Sequence, residues 1–200
     1  MLSDAFERNP LFEYAFPAHA SKGRALRPLF EAILDDVVRF GFADVAFADE
    51  IVGVLLWYPP CRYPMPISRA LAGLPSYLRV AASNALGLLK LYRVHAALER
   101  LRPQQPHCHG YFLAGREGIR VGAPLGRHML DEADANAWPV YLETQDNRTV
   151  ALYLRLGFEI VKSHIVTAPG APATWTMWRS PARPKLLRDS RKAGNERPRS

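Results

Sequence analysis

A single mixed α/β domain, with a central sheet flanked by helices, is the fold class predicted by the 200-residue chain. Three observations predict it. Apolar side chains recur at helical spacing through 24–40 and again through 83–101. Short runs of β-branched and aromatic residues, 51–58 above all, stand between turn-forming residues. Beyond residue 107, strand-like and helix-like segments alternate, which places successive strands in one sheet with helices across it.

The elements follow in order. In 24–40 (RALRPLFEAILDDVVRF), Leu26, Leu29, Phe30, Ile33, Leu34, Val37 and Val38 make one apolar face and leave one wet. Residues 44–47 and 51–58 read as strands joined by a turn at Ala48, Asp49 and Glu50. The second, IVGVLLWY, is almost wholly apolar and stops at Pro59, which suits an interior strand covered on both faces. Two helical segments come next, about 68–82 and 83–101, with Pro75 as a break in the first. Their Leu- and Tyr-rich faces point to an apolar covering or a partner subunit. After the turn RPQQPH come a strand at 110–114, a glycine-containing loop and a helix over 124–137. Strand 139–144, helix 147–156 and strands 158–166 and 173–178 complete the domain, the last two joined by APGAPA.

Composition narrows the class of function. A hydrophobic content of 48% suits one well-buried domain. No apolar run reaches the roughly 18 residues that span a bilayer, and the N-terminus lacks a basic stretch followed by an apolar core. The expectation is a cytoplasmic protein with no membrane partner. Cys61 and Cys108 have no CxxC partner, and the His107/His109 pair has no third ligand at a suitable spacing, so no metal is expected. The net charge of +7 is uneven: residues 181–200 hold seven Lys/Arg against Asp189 and Glu196, a net +5. That stretch reads as a disordered basic tail on a domain of residues 1–180. Nucleic acid is not the expected partner, because the core offers no basic stripe.

The most informative stretch is 138–158, WPVYLETQDNRTVALYLRLGF. It reads as a strand, a polar break at Gln145, Asp146 and Asn147, and a helix bearing Tyr153 and closed by Leu156, Gly157 and Phe158. This order resembles the C-terminal half of the GNAT superfamily of acyl-CoA N-acyltransferases. The element order over residues 24–180 is similar to the GNAT order, with an extended helical segment between the third and fourth family strands. The resemblance implies an N-acetyltransferase using acetyl-CoA as donor substrate, a small-molecule or peptide amine as acceptor, and no metal. A homodimer is left open.

The resemblance also implies roles. Tyr153 is the candidate general acid for the CoA thiolate, since a phenol with a pKa of about 10 is protonated at neutral pH. Leu113, Ala114 and Gly115 are the strand positions whose backbone meets the acyl and pantetheine groups. The phosphate loop is the stretch Arg120, Val121, Gly122, Ala123, Pro124, Leu125, Gly126 and Arg127, leading into a helix N-terminus. Its glycine pattern departs from the family. Counted from Arg120, Ala123 and Leu125 stand at glycine positions, while one extra residue brings Gly122 and Gly126 into line but sets Pro124, which lacks an N–H donor, at the central glycine. Asn147 is a candidate pantetheine contact and helix cap. Glu143, near the end of its strand, is the nearest carboxylate to serve as base. The expected reaction is direct acetyl transfer to a primary amine. The alternative is a non-catalytic CoA-binding or regulatory protein with an impaired loop.

Overall fold

The computed structural model describes residues 1–17 and 19–182, with the backbone alone at 19–21. Two short helices, α1 (Leu2–Ala5) and α2 (Pro10–Ala15), lead into α3 (His19–Phe40). The hairpin β1 (Phe42–Phe47) and β2 (Ile51–Tyr58) follows, then α4 (Ile67–Ala72) and α5 (Leu74–Glu99). The C-terminal half runs β3 (Cys108–Gly115), α6 (Gly122–Ala135), β4 (Val140–Thr144), α7 (Asn147–Arg155), β5 (Glu159–Ile165) and β6 (Thr174–Arg179). The basic tail expected at 181–200 lies outside the described residues, except for Pro181 and Ala182.

All six predicted strands form one sheet, in the order β1-β2-β3-β4-β6-β5. Neighbours are antiparallel except β3 and β4, which are parallel. Parallel neighbours need a crossover, and α6 supplies it. Residues Val52 to Tyr58 of β2 are all buried, as its unbroken apolar sequence predicts. On one face Leu56 and Tyr58 meet α1, α2, α3 and α5; on the other Leu55 and Trp57 meet α6 and its surroundings.

Three local readings are adjusted, and the N-terminal segment adds helices for which the sequence gives no expectation. The N-terminal segment forms α1 and α2, where Asn9 accepts from Leu11 N–H at 2.9 Å and Pro10 opens the helix. Pro75 does not kink a helix but sits in the first turn of α5, after a break at Gly73. The boundary expected between 82 and 83 is a kink at Asn84, whose backbone leaves the helical region (φ −164°, ψ 86°) while its Oδ1 accepts from Gly87 N–H at 2.7 Å. Asn84 thus caps a new helical run inside α5. Finally, α6 begins at Gly122, two residues before Pro124.

The predicted insertion is α4 and α5, between β2 and β3. Arg69 of α4 fixes it to α3 through a two-pronged ion pair with buried Asp36, which also accepts from Tyr58 Oη at 2.6 Å. Second-half α5 rests on α2, and Gly87 is where they touch. A Cβ there would lie 2.3 Å from the ring of fully buried Phe16 and 2.7 Å from Ala15 O.

Gly87→Ala is therefore expected to destabilise the domain by about 1–3 kcal/mol, because overpacking outweighs the better helix propensity of alanine. Urea denaturation measures it, and a variant at least as stable as the natural chain would refute this contact.

Candidate active site

Strands β3 and β4 share only three rungs: Cys108 with Val140, His109 with Tyr141, and Gly110 with Leu142. Beyond Gly110 they part. An extra residue, Tyr111, bulges from β3 between the pairs Leu56–Phe112 and Trp57–Gly110, and bulges bend and twist a strand. Past the bulge, β3 stays paired with β2 on one edge, while its other edge has no strand partner among the described residues. The gap is a cleft of about 320 Å³ lined by β3 from Gly110 to Gly115 and by the β4 end from Leu142 to Asp146. Unpaired backbone N–H and C=O groups along such an edge need partners, so the cleft edge is prepared to bind.

Helices close it from both sides. Tyr153 of α7 lines it on the α6/α7 side, packing edge-on to Phe158 with ring centroids 5.5 Å apart. Its hydroxyl makes no hydrogen bond with a described residue, and burial raises its pKa above the usual phenol value, so it holds its proton. On the opposite side stand Phe6, Arg8 and Phe12 from the N-terminal segment. That segment is seated by Phe6 against Phe112 (5.2 Å) and by Lys22 Nζ donating to Glu7 O at 2.8 Å.

Glu143 also lines the cleft, at the edge of a buried polar layer. Alternation along β4 turns Tyr141 and Glu143 to the α3/α5 face, whereas Val140 and Leu142 join the core under α6. His109 Nε2 lies 3.5 Å from Glu143 Oε2, and the imidazole stacks on Tyr63 at 3.9 Å. Tyr63 belongs to the 59–66 connection, which Arg69 anchors by donating from Nη1 to Arg62 O at 2.7 Å. Burial pushes the Glu143 carboxyl up to about 8, with the nearby Tyr141 phenol pulling it down and Glu99 pushing it up. Burial also drives His109 well below its ordinary value, helped by His107 and Arg102, so it is neutral. The buried His109 Nδ1 and Tyr141 Oη have no partner of good hydrogen-bond geometry among the described residues.

At the far end of the cleft edge, α6 starts with no side-chain cap. Its first intrahelical bond here is Leu125 N–H to Val121 O, which leaves Gly122 and Ala123 N–H as donors at the positive end of the helix dipole. Pro124 contributes none. Exposed Arg120 and Arg127 flank this end. Gly122 is needed for close approach to α7, since a Cβ would come within 3.0 Å of Leu152.

No protein-family model matches the chain, and no curated protein matches it in sequence. Solved structures do. A structure described as histone acetyltransferase HPA2 and related acetyltransferase from Corynebacterium glutamicum is 28% identical, covers 92% of this chain and 89% of its own, and superposes with a TM-score of 0.65. Arylalkylamine N-acetyltransferase 2 from Aedes aegypti is 14% identical over 88% of each chain, with a TM-score of 0.55. The chain has the GNAT acetyltransferase fold.

Against the GNAT fold, the expected site residues separate into three groups. Leu113, Ala114, Gly115, Gly126, Glu143 and Tyr153 line one cleft. Arg120, Gly122, Ala123 and Arg127 surround the α6 start, while the Val121 and Leu125 side chains are buried in the core beneath it. Asn147 stands apart: it is exposed, and the α7 cap is Asp146, whose carboxylate accepts from Arg148 N–H at 2.9 Å. A local sequence window does not distinguish Asp146 from Asn147, because both cap well. His109, Tyr63, Tyr111 and the α1–α2 segment were missed as site components. The one available signal was the His107–Cys108–His109 triplet beside a strand start. Among the described residues, no group of three or more His, Cys, Asp or Glu is placed to hold a metal.

Because Glu143 holds its proton in the fold between its ordinary 4.5 and about 8, the folded state loses stability as pH rises through that window. Glu143→Gln removes the loss. Its stability relative to the natural chain is expected to improve by one to a few kcal/mol between about pH 5 and about pH 8. Denaturation at both pH values tests this, and a pH-independent difference would contradict a buried, raised carboxyl.

Proposed function

We propose that the protein transfers an acetyl group from acetyl-CoA directly to a primary amine. The observation that carries the reading is the cleft between the parted strands, with a raised carboxyl on one face of the sheet and a protonated phenol on the other. The fit to the donor rests on two features: an unpaired β3 edge able to hydrogen-bond an extended pantetheine arm, and free N–H groups at the α6 start suited to phosphate.

Each chain group then has a task. Glu143 takes a proton from the acceptor ammonium, leaving a neutral amine whose lone pair attacks the thioester carbonyl carbon. A carboxyl titrating near 8 is well matched to this, since a base works best with a pKa near the working pH. Cleft-edge N–H groups of β3 stabilise the oxyanion that forms. As the carbon–sulfur bond breaks, Tyr153 gives its proton to the departing sulfur. The second proton, lost by the former amine nitrogen, restores the phenol. The products are an amide and free CoA thiol, with one proton left on Glu143 for release to solvent. Neutral His109, stacked on Tyr63, orients Glu143 and helps keep water from it. The acceptor is an amine of unspecified identity, small-molecule or peptide, and the cytoplasm is the proposed site of action.

A second reading has one specific observation behind it. Pro124 removes a phosphate donor from the α6 start, and a CoA-binding protein without turnover would follow if the two remaining donors hold the donor substrate but misplace it. Calorimetric titration with acetyl-CoA, followed by thiol-release assays over an amine panel, separates the two. The expected result is binding with turnover; binding without turnover on any amine favours the second reading.

Two further outcomes are expected of the active protein. Tyr153→Phe lowers kcat by roughly 10²–10⁴ with little change in acetyl-CoA affinity, and a variant of full activity would remove Tyr153 from the chemistry. The kcat/KM of the natural chain rises with pH through about 8 as Glu143 ionises, and Glu143→Gln abolishes that rise along with most activity. A pH profile preserved in Glu143→Gln would assign the base to another group.

A further inference from the structure

The outward face of α4 and α5 is apolar. Along the first stretch, Ile67, Leu71, Leu74 and Leu78 recur at one-turn spacing, each between 46 and 80% exposed. Past the Asn84 kink, Leu86, Leu89 and Tyr92 are exposed as well, at 63, 42 and 65%. Soluble single-chain proteins scatter large exposed apolar residues; four at one-turn spacing, followed by three more on the same pair of helices, mark a contact surface. No described element covers it, and the cleft chemistry does not use it.

Charge identifies what does. From Ile51 to Leu98 the chain has no Asp or Glu but has Arg62, Arg69, Arg79, Lys90 and Arg93. Two of these are answered from α3, Arg69 by Asp36 and Arg79 by Glu31, and Lys90 lies over the Tyr14 ring. Arg62 and Arg93, both exposed, have no acidic partner among the described residues; in sequence they stand just before the first and just after the last of these apolar side chains. Residues 183–200 add seven more Lys/Arg. Two copies of this face packed together would bring Arg62 and Arg93 with no unpaired carboxylate to answer them, since Glu31 is paired with Arg79 and Glu99, the last residue of α5, with Arg102. An anionic lipid surface answers both features, taking apolar side chains below the headgroups and cations among them. Lying on a bilayer asks nothing of spanning length, and no described helix is long and apolar enough to cross one.

We propose that the α4–α5 face binds the protein peripherally to an anionic lipid bilayer, with Ile67, Leu71, Leu74 and Leu78 inserted and Arg62 and Arg93 among the headgroups. The proposal stands independently of the acetyl-transfer reading. Its test uses the full chain with sedimented vesicles of phosphatidylcholine, with and without phosphatidylserine. The paired variant Leu71→Gln with Leu78→Gln is uncharged, so it leaves the tail's electrostatic attraction as it was, and both positions are 60% exposed, so the fold tolerates it. The natural chain is expected to bind phosphatidylserine vesicles and the pair variant to bind them about tenfold more weakly or worse, with an unchanged circular dichroism spectrum. Absence of binding, or equal binding by natural chain and variant, overturns the proposal; equal binding assigns the attraction to the basic segment. A dimer in sedimentation equilibrium that dissociates in the variant, without vesicle binding, overturns it in favour of a second copy.

Discussion

The parting of β3 from β4 after three rungs is the constraint on which the rest of the structure depends. Two strands that stayed paired would satisfy their own backbone groups and leave no cleft. Here the Tyr111 bulge turns the end of β3 away, and Asp146 ends β4 within two residues of Thr144 by capping α7. The freed edge has to be answered by something from outside the sheet. The walls of the cleft are elements brought up to that gap: α7 with Tyr153, α6 through Gly126 and Met129, and the α1–α2 segment.

The second organising feature is a buried polar layer between the sheet and the α4–α5 insertion. Asp36 holds both Tyr58 and Arg69, and Arg69 lies over the Phe40 ring at 4.1 Å. Removing one partner of so enclosed a pair costs about 3–5 kcal/mol, because the other charge is left buried and unanswered. The pair fixes α4, α4 fixes the 59–66 connection, and that connection lays Tyr63 on His109. Glu143 is therefore buried, and burial outweighs the opposing pull of Tyr141 and Arg102, which is why its proton is held so far above the ordinary carboxyl range. A structural ion pair on one side of the layer and a titratable carboxyl on the other are thus parts of one construction.

Legibility from sequence followed the range of the interactions. Strand and helix positions in 108–179 came through because apolar periodicity and turn residues act within a few residues of themselves. Tyr153 and Glu143 were reachable for the same reason: the strand–turn–helix unit that holds them is continuous in sequence. Asp146 and Asn147 could not be told apart, since a cap is decided by one backbone angle. The break expected at Pro75 falls at Gly73, because a proline within the first turn of a helix loses no hydrogen bond, and the boundary expected after 82 is a kink where Asn84 offers its side chain in place of the backbone.

The sequence by itself determined that this chain makes a mixed sheet with helices on both faces, a tyrosine on the helix after β4 and a helix start after β3. These are consequences of residue type and spacing. Only the tertiary structure decided that the N-terminal residues wall the cleft, that His109 faces Glu143 across β3 and β4, and that the Leu-rich side of α4 and α5 faces solvent. Each of those depends on strand register or on which surface of a helix is covered. Both are settled by contacts between segments tens of residues apart, and periodicity shows that a face is apolar without showing what lies against it.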